Sequence, residues 1–122
     1  MNYLLNVFLR NYRALIVAIN GIKQALRTEQ MFREEFALAV LIPVVLWLVG
    51  GEWSLLAVVI LTLMVFVAEL FNTSIEKLCD FVEPSSSEAI GSVKDMACAG
   101  VFLTKMAYLA YVIQVLWNIT WV

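Results

Sequence analysis

Three acids and an amide stand at helical spacing in one segment of this chain: Glu69, Asn72, Glu76 and Asp80. With Glu69 set at zero and ~100° per residue, Asn72 falls near ~300°, Glu76 near ~340° and Asp80 near ~20°. All four share one narrow stripe of one helix. The residues before Glu69 are apolar back to Leu55, with Thr62 the sole polar side chain. A carboxylate at the edge of such a run is costly in lipid and marks a functional site by default. The stripe combines a possible proton acceptor with the oxygen ligands that a hard divalent cation takes. A helix simply leaving the membrane accounts for Asp80 and, less well, for Glu76. It does not account for Glu69, because more lipid-compatible helix could have preceded the first charge.

Further groups point the same way. Glu29, Glu34 and Glu35 precede the first long apolar run, and Lys94-Asp95 precedes the last. Mg²⁺ uses one or two carboxylates plus substrate phosphates, so Glu29 and Glu76, on different helices, could supply such a site. A lysine at position 94 offers a cation to phosphate oxygens. No Walker-type loop, dinucleotide fingerprint or protein-kinase catalytic loop is present. The 122 residues contain no histidine, which excludes His-based triads and His-ligated metals. Cys79 and Cys98 lack metal-ligand spacing and read as free thiols. A net charge of −2 leaves no electrostatic footprint for nucleic acid.

The elements that must position these groups are set by hydropathy. The chain is 63% apolar, with a mean hydropathy of +0.90. Soluble domains are ~45–50% apolar, and a fold this small could not bury the surplus. Lipid is the expected solvent. Residues 36–49, 55–68 and 96–117 are the apolar runs, the last broken by Lys105 and Gln114. A crossing needs ~20 residues, so each run must extend through its polar flanks. The spacing predicts an all-α membrane protein forming a single domain over residues 1–122, with transmembrane helices over about 33–50, 53–80 and 94–120. Gly50-Gly51-Glu52 predicts a tight turn and an antiparallel hairpin. Trp47 and Trp53 flank that turn, and Trp117 and Trp121 close the last helix, as in an aromatic belt.

Five of the eight basic residues precede the first crossing, and Lys77 and Lys94 flank the polar connector over residues 82–93. Positive-inside reasoning puts the N-terminus and that connector in the cytoplasm, and the C-terminus outside. Glu69 lies sixteen residues past Trp53, or ~24 Å of helix, just inside the cytoplasmic edge of a ~30 Å hydrocarbon core. Residues about 5–28 gather Asn6, Arg10, Arg13, Asn20, Lys23, Gln24 and Arg27 on one face. Phe8, Leu15, Ile19, Ile22 and Leu26 occupy the other, a pattern that predicts an amphipathic surface helix. Arg10 and Arg13 interrupt the N-terminal apolar stretch and no small-residue cleavage site follows, so no cleavable leader is expected.

The spaced residues Glu29-x-x-Phe32-Arg33-x-Glu35, Glu69-Leu70-x-Asn72-Thr73-x-Ile75-Glu76 and Lys94-Asp95-Met96-Ala97 resemble the prokaryotic diacylglycerol kinase family, which also contains undecaprenol kinases. The resemblance runs over roughly residues 10–116, and the Glu-x-x-Asn-x-x-x-Glu element is its most specific part. It implies a homotrimeric bundle of three-crossing subunits, each with an N-terminal surface helix. It also implies transfer of the γ-phosphoryl group of MgATP to a lipid hydroxyl at the cytoplasmic face of the inner membrane, diacylglycerol becoming phosphatidic acid. By motif position, the resemblance implies that Glu69 is the general base and that Glu29 and Glu76 hold Mg²⁺. It places Arg10, Glu29, Asn72, Glu76, Ser85, Ser86, Ser87, Lys94 and Asp95 around ATP, and Arg10, Trp47, Glu69 and Cys98 around the lipid substrate. Asn20, Ser85-Ser86-Ser87 and Lys105 depart from the family pattern, and Lys105 has no family role. Deep in lipid it should pair, snorkel or face a subunit interior. Undecaprenol kinase is the alternative within the family, and a non-enzymatic membrane module is the alternative outside it.

Overall fold

The computed structural model describes residues 2–50, 53–85 and 87–120. Among them are four α-helices and no strand: α1 (Asn2–Thr28), α2 (Gln30–Val49), α3 (Leu55–Val82) and α4 (Glu88–Thr120). They fall into two compact units divided between Glu34 and Glu35.

In the first unit α1 is continuous over 27 residues and carries Phe8 and Tyr12 stacked one turn apart, ring centroids 6.5 Å apart. Phe8, Leu15, Ile19 and Ile22 stand exposed along it. The helix ends at Thr28, whose hydroxyl donates to the carbonyl of Gln24 at 3.1 Å. The Arg33 guanidinium reaches back to the carbonyls of Leu26 and Arg27 at 3.4 and 3.3 Å. A cation on the last carbonyls of a helix meets the negative end of its dipole.

In the second unit α3 packs on α4 along its length, and α2 touches them through a few side chains, among them Phe36 and Leu46. Leu46 of α2, Val58 of α3 and Val115 of α4 are buried together, with Ile42, Trp53, Tyr108, Tyr111 and Ile119 packed around them. Phe36 stacks on Phe66 at 6.1 Å. The pairs 46/58 and 36/66 run in opposite directions, so α2 and α3 are antiparallel, as the turn predicted. Gly50 ends α2 with φ of 82°, a left-handed backbone that glycine adopts without strain. Its N–H reaches the Leu46 carbonyl at 3.2 Å. Gly51, Glu52 and Trp121 lie outside the described residues.

The N-terminus of α3 is held in two ways. Ser54 has extended φ/ψ and its hydroxyl accepts from the Ala57 N–H at 3.2 Å, an N-cap. Its own N–H donates to the Tyr111 hydroxyl of α4 at 2.7 Å. At the other end the connector is shorter than the sequence predicts. α4 begins at Glu88 rather than near Lys94, because Ser87 caps it: the Ser87 hydroxyl accepts from Ile90 N at 3.3 Å and its carbonyl from Gly91 N at 3.0 Å. Glu88 adds an acid in the first turn, where the dipole favours one. α2 likewise begins three residues early, at Gln30, whose amide donates to Glu34 at 2.8 Å.

α3 and α4 are long and apolar enough to cross a membrane. Core helices of soluble proteins meet the same length and composition, but those are mostly buried; here only 17% and 6% of the apolar windows are covered. α2 has 20 residues and spends its first turns on Arg33, Glu34 and Glu35, leaving fourteen uncharged. Tyr111→Phe should remove the tie between α3 and α4 and lower unfolding stability in detergent micelles by about 1 kcal/mol. Ser54→Ala should cost a similar ~1 kcal/mol through the lost cap, read by thermal or denaturant unfolding.

Candidate active site

The stripe on α3 faces α4, and antiparallel packing places a row of α4 side chains opposite it. Asp80 meets Lys94, Nζ to Oδ1 at 2.5 Å. Three turns toward the apolar end, Glu69 meets Lys105 at 2.8 Å, and the same ammonium holds Glu35 of α2 at 2.6 Å. Between these two pairs, Asn72 donates from Nδ2 to the Glu76 carboxylate at 3.0 Å. One helix face thus carries an ion cluster at the apolar end, an amide–carboxylate pair in the middle, and an ion pair at the polar end.

Burial differs along this row. Glu69 is 5% exposed, the one buried charged residue among those described. Asn72 is half-buried, and its Oδ1 is enclosed without a hydrogen-bond partner. A buried amide oxygen left unpaired costs free energy that a bound donor or cation would recover. Glu76 and Asp80 are exposed. A groove of about 260 Å³ opens beside the ion cluster. Glu35 and Lys105 form its charged end, and Ile42, Val65, Phe66 and Leu109 are among its apolar walls.

The other expected site residues distribute as follows. Arg10 is exposed on α1, and Glu29 joins α1 to α2 with its carboxylate accepting from the Thr28 hydroxyl at 2.8 Å. Both belong to the first unit. Asp95 is exposed on α4 beside Lys94. Ser85 and Ser87 flank the connector, while Ser86 lies outside the described residues. Cys98 is exposed and free, and Cys79 is free and buried in α3. Trp47 is exposed twelve residues along α2 from Glu35, ~18 Å of helix away from the ion cluster. Among the described residues no three acid or cysteine side chains converge as a ready-made metal cage.

The common face of Glu69, Asn72 and Glu76 is legible in the sequence, whereas the partners of Lys105 and Glu35 are supplied by the fold. A signal for Lys105 was present in the spacing. Lys94 and Lys105 are eleven residues apart on α4, and Glu69 and Asp80 are eleven apart on α3. Eleven residues make ~3 turns, so antiparallel helices that pair Asp80 with Lys94 must also bring Glu69 to Lys105.

The connector has its own electrostatics. The Ser85 hydroxyl and then the Ser85 N–H donate to the Glu83 carboxylate, which lowers its pKa below the ordinary value. The ionised form is therefore favoured in the folded state. The stabilisation is complete above the ordinary carboxylate pKa and is lost as pH falls through the lowered one. In Ser85→Ala, the Glu83 titration followed by carboxyl NMR should move up toward the ordinary value.

A family model for prokaryotic diacylglycerol kinase matches residues 16–116. A diacylglycerol kinase from Haemophilus influenzae is 31% identical over 87 residues, which covers 70% of this chain and 74% of that protein. A chain whose described residues form helices alone, two of them apolar spans exposed to their surroundings, and which carries this acidic row, is a membrane-embedded member of a lipid kinase family. It belongs to the prokaryotic diacylglycerol kinase family. A lipid kinase family implies a nucleotide and a lipid as substrates.

Proposed function

We propose that this chain phosphorylates diacylglycerol to phosphatidic acid with ATP at the cytoplasmic face of the bacterial inner membrane. The observation that carries this reading is the buried Glu69 carboxylate in an apolar span, seven residues from the exposed Glu76 on the same helix face. Seven residues are ~10 Å of helix, so a base at lipid depth and a phosphate-binding group in water share one rigid element. Each substrate can then arrive from its own phase.

In this reading α2, α3 and α4 all cross the bilayer, and α1 lies in the interface with its basic side chains toward headgroups. The concentration of basic residues before the first crossing supports a cytoplasmic N-terminus. Three copies form the working unit, in keeping with the apolar surface that each copy leaves uncovered.

Glu69 accepts the proton of the lipid hydroxyl as its oxygen attacks the γ-phosphorus. The new O–P bond forms as the bond to the β,γ-bridging oxygen breaks, and ADP leaves. Phosphoryl transfer needs positioning and charge neutralisation more than covalent help. Lys94 and Arg10 contribute charge toward the phosphates, and Ser85, Ser86, Ser87 and Asp95 border the nucleotide. Trp47 and Cys98 lie along the lipid chains. The donor set suits Mg²⁺, because the Glu76 carboxylate stands beside the unpartnered Asn72 oxygen and both are hard oxygen ligands. Glu29 and Glu76 would hold the ion, which when bound neutralises phosphate charge.

Transfer of labelled γ-phosphate from ATP to purified diacylglycerol and undecaprenol, side by side, tests the proposal. Preference for diacylglycerol supports it; label only in the polyprenol shifts the substrate, and label in neither lipid removes the kinase. Glu69→Gln should fold, bind nucleotide and lose about 10²–10⁴-fold in kcat, the range that a general base contributes. Glu76→Gln should raise the Mg²⁺ concentration needed for half-maximal rate.

A further inference from the structure

We propose that Lys105 is a positioning residue for phosphoryl transfer, an ammonium clamp that holds and orients the Glu69 carboxylate while Glu35 anchors the clamp. The inference rests on Glu69 as the base.

Lys105 is the single charged residue of α4 between Asp95 and the C-terminal end of the helix. An unpaired ammonium at that depth is expensive, and so is an unpaired Glu69. Their pairing with Glu35 joins α2, α3 and α4 through one nitrogen, with charge-assisted bonds of 2.6 and 2.8 Å. A carboxylate removed from water stays charged only where a counter-charge holds it. Without Lys105, Glu69 and Glu35 would face the apolar groove with no cation between them, and nothing would fix the Glu69 carboxylate toward the lipid hydroxyl.

Glu35 explains why the clamp does not prevent proton uptake. Before transfer the cluster carries two negative charges and one positive. When Glu69 takes the proton, Lys105 and Glu35 remain as a neutral pair, and no bare cation is left in the apolar region. A Lys105–Glu69 pair alone would go from neutral to positive on the same step, which burial opposes. Geometry adds orientation. Lys105 engages Oε1 of Glu69, which leaves Oε2 as the oxygen that receives the proton. The cluster also caps the groove lined by Ile42, Val65, Phe66 and Leu109, so a lipid chain lying there brings its hydroxyl to the clamped carboxylate.

The test compares Lys105→Met, Lys105→Arg and Glu69→Gln in the full-length protein reconstituted in lipid vesicles with saturating diacylglycerol. The readouts are kcat, KM for ATP and the thermal midpoint. Lys105→Met keeps the length and apolar fit of the side chain; its kcat should fall about 10²-fold with KM for ATP within about twofold. Lys105→Arg, which keeps the charge, should recover kcat to within about tenfold of the parent. Lys105→Met at the parental kcat, with Glu69→Gln inactive, overturns the clamp and leaves the base in place. Loss of kcat that Arg does not rescue also overturns it, as does loss that tracks a raised KM and a lowered midpoint. Glu69→Gln turning over at the parental rate removes the base itself.

Discussion

Charge held away from water is the constraint on which the rest of this structure turns. Glu35, Glu69 and Lys105 come from three helices, and none could stand alone at lipid depth. Together they satisfy one another at 2.6 and 2.8 Å. A shift of α4 by one turn, ~5.4 Å, would separate all three charges. The apolar contacts of Leu46, Val58 and Val115 are far less selective about register, because apolar side chains of similar size can exchange neighbours at modest cost. The ion cluster therefore selects one alignment among several that hydrophobic packing would accept. Tyr111 on Ser54 and Lys94 on Asp80 repeat that alignment toward the two ends of α3.

The same row of groups converts a helix into a gradient. α3 has 28 residues, ~42 Å of helix against a ~30 Å hydrocarbon core, so its polar end must project from lipid. Glu69 sits where the apolar run ends, and Asn72, Glu76 and Asp80 follow one, two and three stripe positions further on. In the proposed reaction a lipid hydroxyl and a nucleotide differ strongly in solvent preference, and groups spaced along one rigid helix would meet each in its own phase.

Little of the apolar surface is covered within one copy. Leu46, Val58, Val65, Val101 and Val115 are buried in the second unit, while Leu56, Leu63, Phe102 and Leu103 are among the many that stand exposed. In water such a surface would drive aggregation. Lipid is the surrounding in which it is stable, and the energetic weight of ordering the helices shifts from an interior core to the bilayer.

Helix identity was legible in the sequence because apolar runs and the turn at Gly50 act locally, within a turn or two. The acidic stripe was legible for the same reason: Glu69, Asn72 and Glu76 lie on one helix, where periodicity alone decides their common face. The start of α4 was misjudged because Ser87 caps it with one hydroxyl, a signal weaker than the change in hydropathy at Lys94. Glu35 and Lys105 acquire meaning only from packing. They lie seventy residues apart in the chain, and their shared contact with Glu69 depends on the register of three helices, which no local pattern specifies. Residue types and periods thus determined the helices and the face that the carboxylates share. Tertiary structure alone decided which cation holds it, because a salt bridge between helices depends on distance in space.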